Sequence, residues 1–225
     1  MLAYDRFAIE ITYQPIRIIC LIAFSARCDV SGVMSLTAVE TLSYSSSQYL
    51  ILQELQRTLA AVRDTEIAAA QRTILKARRV FVMGAGRSGL AMRMVAMRLM
   101  HLGLRVHVAG EVTAPAIASG DLLVVASGSG TTSGAVHAAE VANKVGAQVL
   151  ALTATPESTL GKLAQHLIVV PAAAKQDHGG LRSEQYAGAL FEQSTLLIMD
   201  AMFQGMWREC GESAEELWKR HANLE

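Results

Sequence analysis

Short aliphatic runs alternate with segments of helical apolar spacing over most of the chain. The runs predict five buried strands, at residues 80–83, 105–108, 122–126, 148–152 and 166–170. Helical spacing predicts helices between and after them, at 90–102, 135–145, 158–164, 188–207 and 213–223. Strands that alternate with helices form a parallel sheet covered on both faces. The pattern therefore predicts an α/β fold with a doubly wound, five-stranded parallel sheet.

Two further helices are predicted ahead of the sheet, at 48–62 and 65–77, where apolar residues recur every three or four positions. The serines at 45–47 indicate a break before the first of these helices. Asp64 is the expected N-cap of the second, because its carboxylate can accept from the first free backbone N–H groups. The sheet is thus expected to carry N-terminal helices.

Residues 1–33 lack the alternating strand and helix pattern of the rest of the chain. The segment 16–26 is apolar but too short to span a bilayer, and Arg17 interrupts it. Asp5 and Glu10 lie where a secretory signal peptide would be basic. We expect 1–33 to be an extension outside the fold, with the native start at Met34 and one domain over 34–225. Intact-mass measurement of the native protein tests this expectation.

Composition narrows the function classes. The chain has 225 residues, of which 52% are hydrophobic and 18% charged, and its formal net charge is zero. The absence of a basic patch argues against a nucleic-acid partner, and the lack of a long apolar segment argues against a membrane one. The apolar excess suits a homo-oligomer. The three cysteines have neither metal-ligand nor paired spacing, which favours a reducing cytoplasm and no metal site.

The third predicted strand leads into a loop rich in hydroxyls, Ser127-Gly128-Ser129-Gly130-Thr131-Thr132, and then into a helix. Glycines let the backbone approach a ligand closely. The free N–H groups and the positive dipole end of a helix N-terminus favour an anion such as phosphate. A single Ser or Thr would suffice for an ordinary N-cap, so four hydroxyls favour phosphate binding.

A second glycine loop, Gly84-Ala85-Gly86-Arg87-Ser88-Gly89, follows the first strand. It fits the G-x-G-x-x-G dinucleotide pattern, but no acid ends the second strand, as that fingerprint requires. In a flavodoxin-like sheet of order 2-1-3-4-5, strands one and three are neighbours at the switch point. Both loops would then border one crevice, with Gly86, Arg87 and Ser88 beside a phosphate bound at 127–132.

These segments together resemble the sugar isomerase (SIS) domain family over residues 34–225. The resemblance rests on VFVMGAGRSG, VVASGSGTT and LTATPESTLGKLA. Within the family it is greatest to the hexulose phosphate isomerases, through AGEVTAPAIASGDLL, ALFEQSTLLIMDA and RHANLE. One departure is Gln185-Tyr186-Ala187-Gly188, where that branch typically has Gln-Pro-Met-Gly. The departure lies next to the expected catalytic carboxylate.

The resemblance implies an isomerase that moves a carbonyl between C3 and C2 of a hexulose 6-phosphate through an enediol, within the formaldehyde-fixing ribulose monophosphate pathway. It implies no cofactor, and a tetramer whose sites are shared between subunits. It implies Glu192 as the general base. The alternative is a first-turn Glu that only stabilises its helix. It implies His221, from a neighbouring subunit, as the proton shuttle or ring-opening acid.

Several residues remain alternatives to these assignments. His221 could be a solvated tail residue, and His178 offers similar chemistry. Glu111 and Arg182 could reach the crevice, although surface solvation suits them better. The remaining histidines lie on regular elements and are expected to be structural: His101, His107, His137 and His166.

Two other functions stay open. One is a different SIS isomerase, acting on an aldose or heptose phosphate. The other is a non-catalytic phosphosugar sensor, although such modules normally carry a DNA-binding domain. Residues 1–79 show no basic helix-turn-helix pattern.

Overall fold

Five short strands form one parallel sheet: β1 (Val80–Gly84), β2 (Val106–Val108), β3 (Leu122–Ala126), β4 (Gln148–Thr153) and β5 (His166–Val169). Their order across the sheet is β2-β1-β3-β4-β5. Every pair is parallel. The predicted fold class and the predicted strand order are both confirmed, with β3 at the predicted bounds.

The computed structural model describes residues 43–172 and 183–224, and all of these belong to one compact unit, Leu42–Glu225. The expected extension 1–33 and the expected start at Met34 lie outside the described residues. So do two of the alternative site residues, His178 and Arg182.

The helices flank the sheet: α1 (Tyr44–Ala60), α2 (Asp64–Lys76), α3 (Gly86–His101), α4 (Ser133–Lys144), α5 (Thr159–Leu163), α6 (Ala189–Cys210) and α7 (Ala214–Trp218). Alternate strand residues point to opposite faces. On one face Val82, Val124 and Leu152 pack with α2, α3 and α6. On the other face Val125 and Ala151 pack with α4 and α5. Both faces of β3 are therefore buried, which explains its unbroken aliphatic sequence.

Helix boundaries depart from the prediction at several ends: α4 begins two residues early, α7 ends at Trp218, and the first three helices differ at their N-termini. The serines expected to break the chain lie inside α1, because Ser43 caps it and accepts from the Ser46 N–H at 3.2 Å. Asp64 is the first residue of α2 and Arg63 is the N-cap. The Asp64 charge still suits the positive end of the helix dipole. Helix α3 begins at Gly86, so the first glycine loop forms its opening turn.

Within 43–172 and 183–224, none of the helices has the length and apolarity needed to cross a bilayer.

Candidate active site

The hydroxyl-rich loop between β3 and α4 is held in a defined conformation by its own side chains. Ser127 Oγ and Thr132 Oγ1 lie 2.9 Å apart. The N–H and Oγ1 of Thr131 both donate to Ser129 Oγ, at 3.3 and 3.1 Å. Because Ser129 accepts both bonds, its own proton is left to donate to a ligand. The loop thus presents hydroxyls at the N-terminus of α4, as an anion site requires.

Gly130 makes this loop conformation possible. Its φ is +63°, and a Cβ at this position would lie 1.9 Å from Ser158 Oγ. The backbone of the loop is also tied to the next unit of the sheet. Leu160 N–H donates to the Gly130 carbonyl at 3.0 Å, and Thr153 Oγ1 donates to the Gly128 carbonyl at 3.1 Å. The second half of the sheet therefore fixes the shape of the loop.

The first glycine loop brings the start of α3 against the end of β1. A Cβ on Gly89 would lie 2.6 Å from the Gly84 carbonyl oxygen, so this glycine permits the close packing of helix on strand. Gly84 pairs in register with Ala126 of β3. The two glycine loops consequently leave the same edge of the sheet on neighbouring strands.

A crevice lies between the two loops and the first turn of α6. Ser88 lines it from α3, and Gly188 and Phe191 line it from the start of α6. The other lining residues are Ala85, Ala126, Ser127, Gly128, Ser129 and Thr132. The structure thus brings together four of the predicted substrate-binding residues, and Gly86 and Arg87 adjoin them in the opening turn of α3. Thr131 contacts the crevice lining through Ser129.

Glu192 lies in the first turn of α6, one residue after Phe191, and is 6% exposed. The Arg87 Nε lies 2.9 Å from its Oε2. Phe191 is close to the hydroxyl-rich loop, since a Cβ on Gly128 would lie 3.2 Å from its ring. Glu192 itself does not line the crevice, but it follows the lining residue Phe191, and its partner Arg87 precedes the lining residue Ser88.

His221 lies apart from these residues within the chain. Its ring is 3.9 Å from the ring of His101, centroid to centroid, and 4.4 Å from that of Trp218. Burial, then the charges of His221 and Arg98, lower the pKa of His101 below its usual value. His101 ends α3, whose first residue borders the crevice. The 16 residues of α3 span about 24 Å at ~1.5 Å each, which separates His221 from the crevice of its own chain.

The other candidate side chains are engaged away from the crevice. His166 Nε2 lies 3.3 Å from Thr73 Oγ1, and the His107 ring packs on Phe81. Glu111 forms an exposed ion pair with Arg93. In the part of the chain that the structure describes, no cluster of three or more His, Cys, Asp or Glu side chains could hold a metal.

Sequence reasoning missed Glu54, which is 3% exposed. It lies on α1 and accepts hydrogen bonds from residues 183–185, just ahead of α6. No signal in the sequence pointed to Glu54, because it lies off the helix face that carries Leu52, Leu55 and Leu59.

Comparisons with known proteins identify relatives that are similar over the region containing this crevice. A family model, the SIS domain, matches residues 73–195, which include both glycine loops and Glu192. A 3-hexulose-6-phosphate isomerase of Mycobacterium gastri is 55% identical over 176 residues, covering 78% of this chain and 88% of that protein. A protein of the same name from Bacillus subtilis (strain 168) is 40% identical, covering 78% and 95%.

A solved structure is similar to this chain in fold. The crystal structure of a hypothetical protein from Methanococcus jannaschii, from which a function of 3-hexulose-6-phosphate isomerase was inferred, superposes with a TM-score of 0.69 and 26% identity. The match covers 80% of this chain and 99% of that one. The similarity thus extends over almost the whole of the known protein.

Proposed function

Because the chain belongs to the SIS domain family, we propose that it is a phosphosugar isomerase that interconverts D-arabino-hex-3-ulose 6-phosphate and D-fructose 6-phosphate. The observation that carries the proposal is the crevice, where hydroxyls at a helix N-terminus face the first turn of α6, which carries a buried, ion-paired carboxylate. The names of the relatives at 55% and 40% identity support the choice of substrate.

The phosphate binds at the hydroxyl-rich loop. Ser127, Ser129, Thr131 and Thr132 supply the hydroxyls, and the N-terminus of α4 supplies free N–H groups and a favourable dipole. Gly86, Arg87 and Ser88 close the opposite side. A phosphate fixed there places the sugar carbons towards Glu192, because the first turn of α6 forms the third wall of the crevice.

Glu192 acts as the general base. It removes the proton from C2 of the 3-ketose, and the electron pair of the broken C–H bond forms the C2–C3 double bond of an enediol. Return of a proton to C3, with the carbonyl formed at C2, gives fructose 6-phosphate. Arg87 keeps the carboxylate oriented during both transfers.

The reaction also moves a proton between O2 and O3, and His221 of a second copy performs this step. His221 lies about one α3 length from the crevice of its own chain, as described above. Helix α3 exposes Leu90, Met94 and Met97 on one face, each at least 46% accessible. Two copies that pack this face antiparallel would bring the His221 end of one α3 beside the Ser88 end of the other.

The active species is therefore a homo-oligomer, and a tetramer built from such pairs agrees with the family resemblance. A large apolar set on one exposed helix face is typical of an interface between subunits. The enzyme works in the cytoplasm, where sugar phosphates are substrates, within the formaldehyde-fixing ribulose monophosphate pathway.

Incubation of the purified protein with a panel of ketose and aldose 6-phosphates tests the reaction, with products identified by NMR. The expected result is conversion of fructose 6-phosphate to its 3-keto isomer, with loss of the C2 or C3 proton signal in deuterated water. Turnover of an aldose or heptose phosphate, without turnover of fructose 6-phosphate, would show that the enzyme acts on a different sugar phosphate. Binding without turnover of any of them would favour a sensor.

The double variant Ser129→Ala, Thr132→Ala tests the phosphate site. Each lost hydrogen bond to a charged group costs roughly 1.5–3 kcal/mol, so affinity for substrate and for inorganic phosphate should fall at least tenfold. Ser133→Ala is the matched control, since Ser133 is the next residue, lies in α4 and does not line the crevice. Unchanged affinity in the double variant would exclude this loop as the anion site.

A further inference from the structure

The carboxylate of Glu54 joins α1 to the segment that precedes α6. Ser183 Oγ donates to its Oε2 at 2.7 Å, and the two residues are 129 positions apart in the sequence. The Glu184 N–H donates to Oε1 at 2.8 Å, and Gln185 Nε2 donates to Oε2 at 2.9 Å. Between them, the two carboxylate oxygens therefore hold three consecutive residues, Oε1 binding Glu184 and Oε2 binding Ser183 and Gln185.

Glu54 is charged in this position. Burial by itself would raise the pKa of Glu54, but the hydrogen bonds from Glu184, Ser183 and Gln185 and the positive charge of Arg57 together hold that pKa below its usual value. Hydrogen bonds to a charged acceptor are about twice as strong as neutral ones. The link between α1 and residues 183–185 is consequently a strong polar contact.

The segment held by Glu54 leads directly into the first turn of α6. Gln185 N–H donates to Ser183 Oγ at 3.0 Å, which keeps the segment folded on itself. Ala187 then has φ of 43°, a conformation that disfavours residues with a Cβ. Glu192 follows within five residues. We expect the hydrogen bonds from residues 183–185 to Glu54 to hold Ala187 in this conformation. They would thereby set the direction in which α6 starts.

Leu55 and Leu59 of α1 pack against the core, but the packing next to the anchor is incomplete. A cavity of about 200 Å³ lies beside it, lined by Glu54, Arg57 and Thr58 of α1 and by Leu190 of α6. The cavity interrupts the packing of α1 against the first turn of α6, so part of this junction is held by the polar link. The start of α6 is thus held by Arg87 on Glu192 from one side and by Glu54 on residues 183–185 from the other.

We propose that Glu54 is a positioning residue of the active site: it fixes Ser183–Gln185 and thereby aims Glu192 at the reacting carbon. This inference rests on the proposed function, because it acts through the base. Glu54 itself is not among the residues that line the crevice. Its effect is therefore on the rate of proton transfer and not on phosphate binding.

Glu54→Gln is the test, since it keeps the size of the side chain but removes its charge. It also replaces one carboxylate oxygen by an NH₂ group, which cannot accept the hydrogen bonds that residues 183–185 donate. We expect kcat to fall roughly 10- to 100-fold, the usual consequence of misplacing a reacting group by about 1 Å. KM and the affinity for inorganic phosphate should change less than threefold. Wild-type kcat at a temperature where the variant is folded would overturn the proposal.

Thr58→Ala is the matched control. Thr58 lies one turn further along the same face of α1, is 4% exposed and lines the same cavity, but the three hydrogen bonds of the anchor all go to Glu54. The control should lower the melting temperature and leave kcat near wild type. A kcat loss in Thr58→Ala equal to that in Glu54→Gln would show a merely structural effect and would contradict the proposal.

A double variant of Glu54 and Glu192 distinguishes failure of this proposal from failure of the proposed function. If Glu54 acts through Glu192, adding Glu54→Gln to a Glu192→Gln chain should lower kcat no further, whereas additive losses would overturn the positioning role. Normal turnover in Glu192→Gln alone would instead contradict the assignment of the base. Should Glu54→Gln fail to fold, Ser183→Ala removes one hydrogen bond of the anchor, and we expect a smaller loss of kcat with KM unchanged.

Discussion

Glu192 and Arg87 form the residue pair on which the proposed catalysis depends. The carboxylate is 6% exposed, while its partner guanidinium is 64% exposed. Arg87 can therefore stay solvated if the carboxylate is neutralised, so a conservative substitution of Glu192 leaves no buried unpaired charge. Such a substitution reports on chemistry more than on folding.

We expect Glu192→Gln to lower turnover by roughly 10²–10⁴-fold, the usual contribution of a general base, with little change in substrate affinity. Exchange of the C2 proton with deuterated solvent should be lost in parallel. Glu140→Gln, a change of an exposed acid on α4, is the control. A Glu that only stabilised the first turn would lose roughly 0.3–1 kcal/mol of stability and keep its turnover, which NMR progress curves would reveal.

Asp121 is a buried carboxylate with a purely structural setting at the start of β3. Arg79 donates to it at 2.6 and 3.1 Å, Arg78 at 3.1 Å and the Ala118 N–H at 2.8 Å. Burial opposes ionisation, but these bonds outweigh it and lower the pKa of Asp121 from 3.8 to about 2. The charged form therefore stabilises the fold.

Because the folded-state pKa lies below the ordinary value, this stabilisation is complete above pH 4 and disappears as the pH falls towards 2. At ~1.36 kcal/mol per pKa unit, Asp121→Asn should lower the free energy of unfolding by roughly 2 kcal/mol at pH 7. Urea unfolding should show that the difference from wild type narrows below pH 4. Glu111→Gln, which breaks an exposed ion pair, should cost under ~1 kcal/mol; an equal loss there would contradict the assignment.

At the scale of elements, the site is the junction of three helix N-termini with the carboxyl ends of β1 and β3. Helices α3, α4 and α6 all begin at the crevice. Parallel strands and their following helices place such N-termini at one edge. The loop before α4 is additionally shaped by the β4–α5 unit, through Thr153, Ser158 and Leu160.

Gly130→Ala tests that link between elements. Its Cβ would overlap Ser158 Oγ, the N-cap of α5, and its φ of +63° is unfavourable for alanine. We expect a loss of more than ~2 kcal/mol of stability and of phosphate binding together, measured by thermal unfolding with and without inorganic phosphate. Gly134→Ala is the control, because its Cβ would meet only the end of Met83 at 3.5 Å. Normal binding by Gly130→Ala would show that the loop tolerates another shape.

At the scale of the whole molecule, α3 acts as the spacer between the two catalytic candidates. One end of this helix borders the crevice, and His101 at the other end stacks on His221. Arg220 reinforces this docking, since it donates to the His101 carbonyl at 2.8 Å and pairs with Glu212. The C-terminal residues are thereby presented at a fixed position, away from their own site.

Mixing two inactive variants tests the shared site. Coexpressed Glu192→Gln and His221→Ala chains should regain activity, because hybrid oligomers contain sites with Glu192 from one copy and His221 from the other. For random pairing of subunits about a quarter of the wild-type activity is expected. Each variant expressed alone is the control. Hybrid oligomers that stay inactive would show that His221 does not act across subunits.

Local patterns in the sequence determined the sheet and the position of the crevice. Short aliphatic runs bounded by polar or turn residues predicted all five strands, since a strand buried on both faces needs a continuous apolar sequence. The flavodoxin-like strand order and the switch-point rule then placed both glycine loops at one edge. The crevice residues Ser88, Ser127, Ser129 and Thr132 followed from this reasoning, because they belong to loops adjacent to predicted strands.

Only the tertiary structure decided the contacts between distant segments. The pairing of Arg87 with Glu192, the anchor from Glu54 to Ser183 and the stacking of His221 on His101 each join elements far apart in the chain. Such contacts depend on how helices are rotated and spaced in three dimensions, which side-chain periodicity does not encode. The same packing explains why α3 begins at Gly86: the tight approach of Gly89 to Gly84 extends the helix back into the loop.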